Sequence, residues 1–172
     1  MKRLILLASA IILISYISFS QEKVNWIKIE NLDEVLKNNT KPVFIDAYTD
    51  WCSWCKRLDA DTFSNPVIAA YLNEKFIPVK FNAESKAPIT FMGKEFVNDG
   101  KAGRAHQLAV ALMQGQMSYP TVVFLNNKGE LLSPVPGYRG PKEFEPLLVF
   151  FGEEKYMTEK WDDFSKNFKG SF

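Results

Sequence analysis

In KPVFIDAY, residues 41–48, both alternating sets of positions are apolar: Val43, Ile45 and Ala47 on one side, Phe44 and Tyr48 on the other. A strand of this kind is covered on both faces and lies inside a sheet. Asp46 interrupts the run; it is either an ordinary outward strand residue or, as a covered strand favours, a buried carboxylate. Around this strand the pattern switches between the two-residue and the 3.6-residue period. Val24 to Ile29 alternates loosely and predicts a short edge strand. Asn31 predicts a helix cap, with Glu34 three residues on and Leu32, Val35 and Leu36 sharing a face. Residues 53–62 have helical composition. Asn65-Pro66 then predicts a fresh start before VIAAYLNEKF, so one kinked helix or two in tandem follow.

FIPVKFNAE, residues 76–84, predicts another strand. In the long connection after it, ITFMGKEFV predicts a small hairpin about Gly93, and Ala105, Leu108, Ala109 and Leu112 follow helical spacing. Two β-rich runs between 120 and 136, parted by Asn126, Asn127, Lys128 and Gly129, predict an antiparallel hairpin. Phe144, Leu147, Leu148 and Phe151 form a helical stripe that Pro146 must kink or shorten. Trp161, Phe164 and Phe168 predict a further amphipathic piece after Gly152. Strands alternating with helices and closing on a hairpin and a C-terminal helix predict an α/β fold: one mixed sheet with helices on both faces.

Composition fits one domain, since 172 residues that are 47% hydrophobic and 24% charged can bury a single core. Residues 1–20 stand apart. Lys2 and Arg3 precede an uncharged run from Leu4 to Phe19, and Ser18-Phe19-Ser20 offers small residues where a signal peptidase reads. The run is shorter than the roughly 20 residues that cross a bilayer comfortably. The expectation is an export signal cleaved after Ser20, leaving a domain at 21–172, periplasmic or secreted, with no membrane attachment. No cysteine near Ser20 is placed to carry a lipid. Cleavage leaves 19 basic against 20 acidic residues, and no dense Lys/Arg block supports nucleic-acid binding.

Export brings the chain's two cysteines, in TDWCSWCKRLDADTF, into a compartment where disulfides persist. Closing so short a loop stabilises by only about 1.9 kcal/mol, against about 3 for fifteen residues, so Cys52 and Cys55 make a poor staple. A closed zinc site wants four ligands, and only His106 remains among the soft donors. A copper site of two thiolates and that imidazole stays conceivable, beside the plainer reading of His106 as a polar residue on an amphipathic helix. The third reading is reactive. Cysteines at i and i+3 span the first turn of a helix, where unpaired N–H groups and the helix dipole favour a thiolate. Cys52 is then expected to be exposed and Cys55 shielded, with Lys56 and Arg57 adding positive charge that Asp50 opposes. Lowering the pKa of Cys52 speeds its attack only modestly; the larger gain is that it becomes a better leaving group for Cys55 to displace.

FIDAYTDWCSWCK resembles the active-site strand and helix start of the thioredoxin superfamily, and the resemblance runs over about residues 24–151. It implies a thioredoxin-like fold, with Cys52 as the attacking cysteine, Cys55 as the resolving one and a disulfide between them. Trp51 precedes the nucleophile as in the family. Asp46 matches the buried carboxylate that takes the proton of the resolving cysteine, and Lys80 in PVKFN the lysine beside it. Tyr119-Pro120 matches the cis-proline that faces the sulfurs and presents backbone to substrate. On sequence alone only about 5–6% of X-Pro bonds are cis, and a trans proline opening a strand is favoured. Gly137 matches a glycine near the substrate groove.

The chain also departs from the family. Ser53-Trp54 replaces the Gly-Pro of thioredoxins, so a redox potential does not carry over, and Trp54 is a candidate for the docking surface. An insertion at about 85–101 is a candidate specificity element, and the segment 152–172 is additional. GKAGR at 100–104 lacks the spacing of a phosphate loop. The expected function is that of an exported thiol–disulfide oxidoreductase reducing protein disulfides, with oxidase and isomerase directions open. Protein clients and a redox partner are implied, and nothing indicates an organic cofactor. A thioredoxin-like binding module or chaperone without turnover is the alternative, and a copper carrier the third.

Overall fold

The computed structural model describes residues 22–172; the expected export signal lies outside the described residues. The main sheet has five strands in the order β1-β3-β2-β6-β7: β1 (Ile27–Lys28), β2 (Val43–Tyr48), β3 (Ile77–Asn82), β6 (Thr121–Leu125) and β7 (Leu131–Pro136). β2 is central, parallel to β3 and antiparallel to β6, so Asp46 is flanked by Lys80 on one side and Val122 on the other. This is the mixed sheet that the strand–helix order implies.

Both faces of β2 are buried, as its two apolar sets require. Val43, Ile45 and Ala47 pack with Val79, Phe81 and Val123 and with Leu108 of α4 (Gln107–Leu112). Phe44 faces the other way, into an aromatic cluster where its ring meets Phe63, Phe76, Phe124 and Phe144 edge-on at centroid distances of 5.5–6.2 Å. Helices α2 (Ser53–Leu58), α3 (Pro66–Lys75) and α5 (Pro141–Gly152) supply this second face.

The cysteine segment resolves into two helices in tandem. α2 widens into a π-helical turn at Asp59–Phe63, and α3 restarts where Asn65 Oδ1 accepts from the N–H groups of Val67 and Ile68, with Pro66 in the first turn. The predicted cap at Asn31 is not found. Asn31 ends a 3-10 turn, Ile29–Asn31, is itself helical (φ −93°, ψ −4°) and makes no capping bond to the short α1 (Leu32–Leu36). The predicted strand Val24–Ile29 shrinks to its last two extended residues because only Ile27 and Lys28 reach β3. α5 runs unbroken through Pro146.

The insertion carries its own hairpin, β4 (Ile89–Phe91) and β5 (Lys94–Phe96), turning at Met92 and Gly93 with positive φ. Its neck is tied by Asn98, whose Nδ2 donates to the carbonyls of Glu84, Ser85 and Arg104. Beyond α5, α6 (Trp161–Asn167) folds back so that Trp161 and Phe164 lie against Phe150.

Candidate active site

The C-terminal end of β2 leads through Thr49, Asp50 and Trp51 to the start of α2, where Cys52 and Cys55 are joined by a disulfide with Cα atoms 5.3 Å apart. Cys52 is the N-cap of α2. Its backbone is extended (φ −73°, ψ 103°), and its Sγ takes the place of a capping oxygen by accepting the Cys55 N–H at 3.0 Å. A first-turn N–H aimed at a sulfur stabilises negative charge there once the disulfide opens. The expected contrast in exposure is not seen in this oxidised form, in which both cysteines are 4% exposed. The bond holds each sulfur against the other, and what stands open beside them is Trp51 and Trp54, each more than half exposed.

Asp46 lies inside the sheet, 1% exposed. Its Oδ2 accepts from Lys80 Nζ at 2.5 Å, the partner that the parallel register of β2 and β3 delivers. Its Oδ1 has no hydrogen-bond partner among the described residues. Burial pushes the Asp46 carboxyl up to about 6, and the Lys80 ammonium only partly offsets this. Burial opposes the charge on Lys80 as well, but Asp46 and Asp59 together hold its ammonium above the usual lysine range. Asp59, at the start of the π-helical turn, bonds the same Nζ. Lys80 also sits over the rings of Trp26 (4.8 Å) and Tyr48 (5.3 Å).

The third part of the site comes from the far side of the sheet. The Tyr119–Pro120 peptide is cis and directly precedes β6. Tyr119 meets Trp51 edge-on at 6.0 Å, which brings the proline loop alongside the cysteine loop. Gly137, just past β7, donates its N–H to Pro120 O at 2.8 Å and takes φ +93°, a conformation that suits glycine. A disulfide-bonded cysteine pair at a helix start, a buried carboxylate in the strand that leads to it and a cis-proline whose tyrosine neighbour meets Trp51 lie in one region of the fold. The model of the thioredoxin-like domain matches residues 30–152. The chain belongs to the thioredoxin-like domain family.

Similar proteins fit that placement. The thiol:disulfide interchange protein DsbD of Pectobacterium atrosepticum is 28% identical over 125 residues, which are 72% of this chain and 18% of that protein. A protein disulfide-isomerase of Schizosaccharomyces pombe is 30% identical over 129 residues, 72% of this chain and 28% of that protein. The chain thus spans less than a third of the length of these relatives. Among solved structures, the oxidoreductase DsbH superposes with a TM-score of 0.54 at 16% identity, covering 76% of this chain and 85% of that one. A thioredoxin from Thermus thermophilus also gives 0.54 at 16% identity, covering 79% and 88%. These two likenesses concern the fold.

Within this thioredoxin-like domain, Asp46 and Lys80 are in contact, Trp51 touches Tyr119, and Gly137 touches Pro120. Trp54 packs on Tyr138 at 5.4 Å, next to Arg57 and Asp61, on the opposite flank from Trp51. His106 is not on a helix face. It is the buried N-cap of α4, with Nδ1 accepting the Leu108 N–H and Nε2 donating to Ala87 O. Both ring nitrogens are thereby engaged, and burial holds its pKa below the usual histidine range. Among the described residues no group of three or more His, Cys, Asp or Glu is placed to hold a metal. Sequence reasoning missed Asp59, Tyr138, Glu84 and Arg104. The last two belong to the Trp51 flank, where Glu84 accepts from Trp51 Nε1 at 3.1 Å and pairs with Arg104.

Proposed function

We propose that the chain is an exported thiol–disulfide oxidoreductase that reduces disulfides of protein clients, acting where disulfides persist. The observation that carries this is Cys52 Sγ as the N-cap acceptor of α2, bonded to Cys55 at the edge of a surface with two exposed tryptophans. Export is supported by the pattern of Lys2, Arg3 and the apolar run that follows them.

In the reduced enzyme the Cys52 thiolate attacks one sulfur of a client disulfide. The client S–S bond breaks, its other sulfur leaves as a thiolate and takes a proton from water, and Cys52 is left in a mixed disulfide. Cys55 then gives its proton to Asp46, whose Oδ1 is the oxygen that Lys80 leaves open, and attacks Cys52 Sγ. The mixed disulfide breaks, the second client sulfur departs reduced, and the Cys52–Cys55 bond described above is restored. Two electrons have passed to the client, and a partner dithiol protein must resupply them. Trp51, Trp54, Tyr119, the cis Pro120 and Gly137 are assigned to the surface that holds the client chain.

Insulin reduction driven by a chemical dithiol tests this. Wild-type protein should turn over insulin, Cys52→Ser should lose at least two orders of magnitude, and Cys55→Ser should accumulate protein-linked mixed disulfides that dithiothreitol releases. Turnover that survives Cys52→Ser would overturn the proposal.

A further inference from the structure

The insertion does more than decorate the fold, because the segment just after it reaches the active-site rim at Arg104. Asn98 ties Glu84 at the entry of the insertion to Arg104 beyond its exit, and Ala83 O and Ala87 O both bond His106. This neck presents Arg104 to the exposed face of Trp51, with the guanidinium carbon 5.3 Å from the ring centroid. Arg104 Nε pairs with Glu84 Oε1 at 3.1 Å while Glu84 Oε2 accepts from Trp51 Nε1, so one carboxylate locks cation and ring together. The Arg104 side chain is 70% exposed, and Glu84 and the Trp51 ring are its contacts among the described residues. Tyr119 closes the other side of Trp51, and Tyr119 and Trp51 are the immediate neighbours of Pro120 and Cys52.

The charge of this flank is one-sided. Between residues 85 and 105, Lys86, Lys94, Lys101 and Arg104 outnumber Glu95 and Asp99, in a chain that is otherwise near balance. Lys101 is paired with Asp99, and Glu84 is spoken for by Trp51 and Arg104. An exposed arginine lying on an aromatic face suits a carboxylate. We propose that Arg104 is a specificity-determining residue that selects clients carrying acidic side chains beside the target cysteine. This rests on the thiol–disulfide reading of the same site and adds the class of substrate.

The test separates recognition from exchange. Two short synthetic peptides have serine in place of the reactive cysteine, flanked in one by glutamates and in the other by lysines. Their binding to the oxidised full chain is titrated by tryptophan fluorescence and by NMR shifts at Trp51. The wild type should prefer the acidic peptide by at least about fivefold, the factor expected from attraction alone between unit charges about 4 Å apart in water. The preference should shrink at 0.5 M salt. Arg104→Lys should keep the preference, and Arg104→Glu should reverse it. Lys128→Glu makes the same charge change in the β6–β7 turn, at the other end of the sheet, and should leave the ratio as in wild type. Equal binding of the two peptides, or equal shifts from Arg104→Glu and Lys128→Glu, would overturn the proposal. If instead binding shows the preference but matching disulfide peptides are never reduced, the exchange reading fails and the recognition surface stands.

Discussion

Asp46 shows how much a single buried carboxylate decides. Its unfolded pKa is about 3.9, and the folded protein raises it to about 6. A raised acid pKa contributes stability below the unfolded value and loses it as pH climbs through the folded one. The window is therefore about pH 4 to 6, and the loss is about 3 kcal/mol. Asp46→Asn should remove this decline. Urea unfolding of the oxidised protein at pH 4.5 and pH 8 should show the variant gaining on wild type by about 2 kcal/mol between the two. A constant difference across that range would count against burial as the cause. If Asp46 takes the proton of Cys55, as proposed, the same substitution should also slow resolution of the mixed disulfide. Burial of Asp46 was legible in the sequence because a covered central strand favours an inward carboxylate over an outward one, whereas Lys80 was implied only by the family resemblance, and the parallel register is what delivers it to Asp46. Asp59 was not, since Lys56, Arg57, Asp59 and Asp61 look alike on paper. Only the π-helical turn that begins at Asp59 decides that it is the one returning over β3 to Lys80.

At the scale of elements, two asparagines separate what a local pattern fixes from what it does not. Asn65 and Asn31 each precede a helix, and only Asn65 has the extended backbone (φ −69°, ψ 125°) that lets its side chain turn back to the helix N–H groups. Asn31 is spent as the last residue of a 3-10 turn, a tertiary outcome set by Ile29 being pulled into the core. Asn65→Ala should cost about 1 kcal/mol and Asn31→Ala at most a few tenths, measured as midpoints of urea unfolding with unchanged slope. Equal losses would mean that the cap of α3 is not what starts it. The hairpins were legible for a stronger reason, the glycines at their turns: Gly93 and Gly129 both take positive φ. The rim contacts of Arg104 were not, because they join the segment after the insertion to a loop some fifty positions earlier and no local period records that.

The whole molecule manages its edges and its apolar surplus separately. β7 is a sheet edge, and the Gly137–Pro120 bond fixes its phase: Val135 and Ser133 turn their amides toward β6, while Pro134 and Pro136 fall on the outward positions. A chain adding there would find no N–H at either proline, which blunts the edge against self-pairing. The surplus lies on α5: Phe151 stacks on Phe124 of β6 at 4.1 Å, while Phe150 meets Trp161 and Phe164 of the tail. Phe164 covers it, 8% exposed, with ring centroids 5.2 Å from Phe150 and 5.4 Å from Phe168, and the Ser171 N–H ties the chain end to the Glu145 carboxylate. If Phe164 is what holds this segment, the ordered tail and its anchor are lost together. Phe164→Ala and truncation after Glu159 should then reduce stability by the same amount, about 2–3 kcal/mol, the scale of burying one large apolar side chain. Both should raise binding of an apolar dye and, in the full-length variant, open the tail to limited proteolysis. Should Phe164→Ala cost much less than truncation, the segment is held by Trp161 and the Glu145 contact instead, and α6 docks as several independent contacts rather than as one unit.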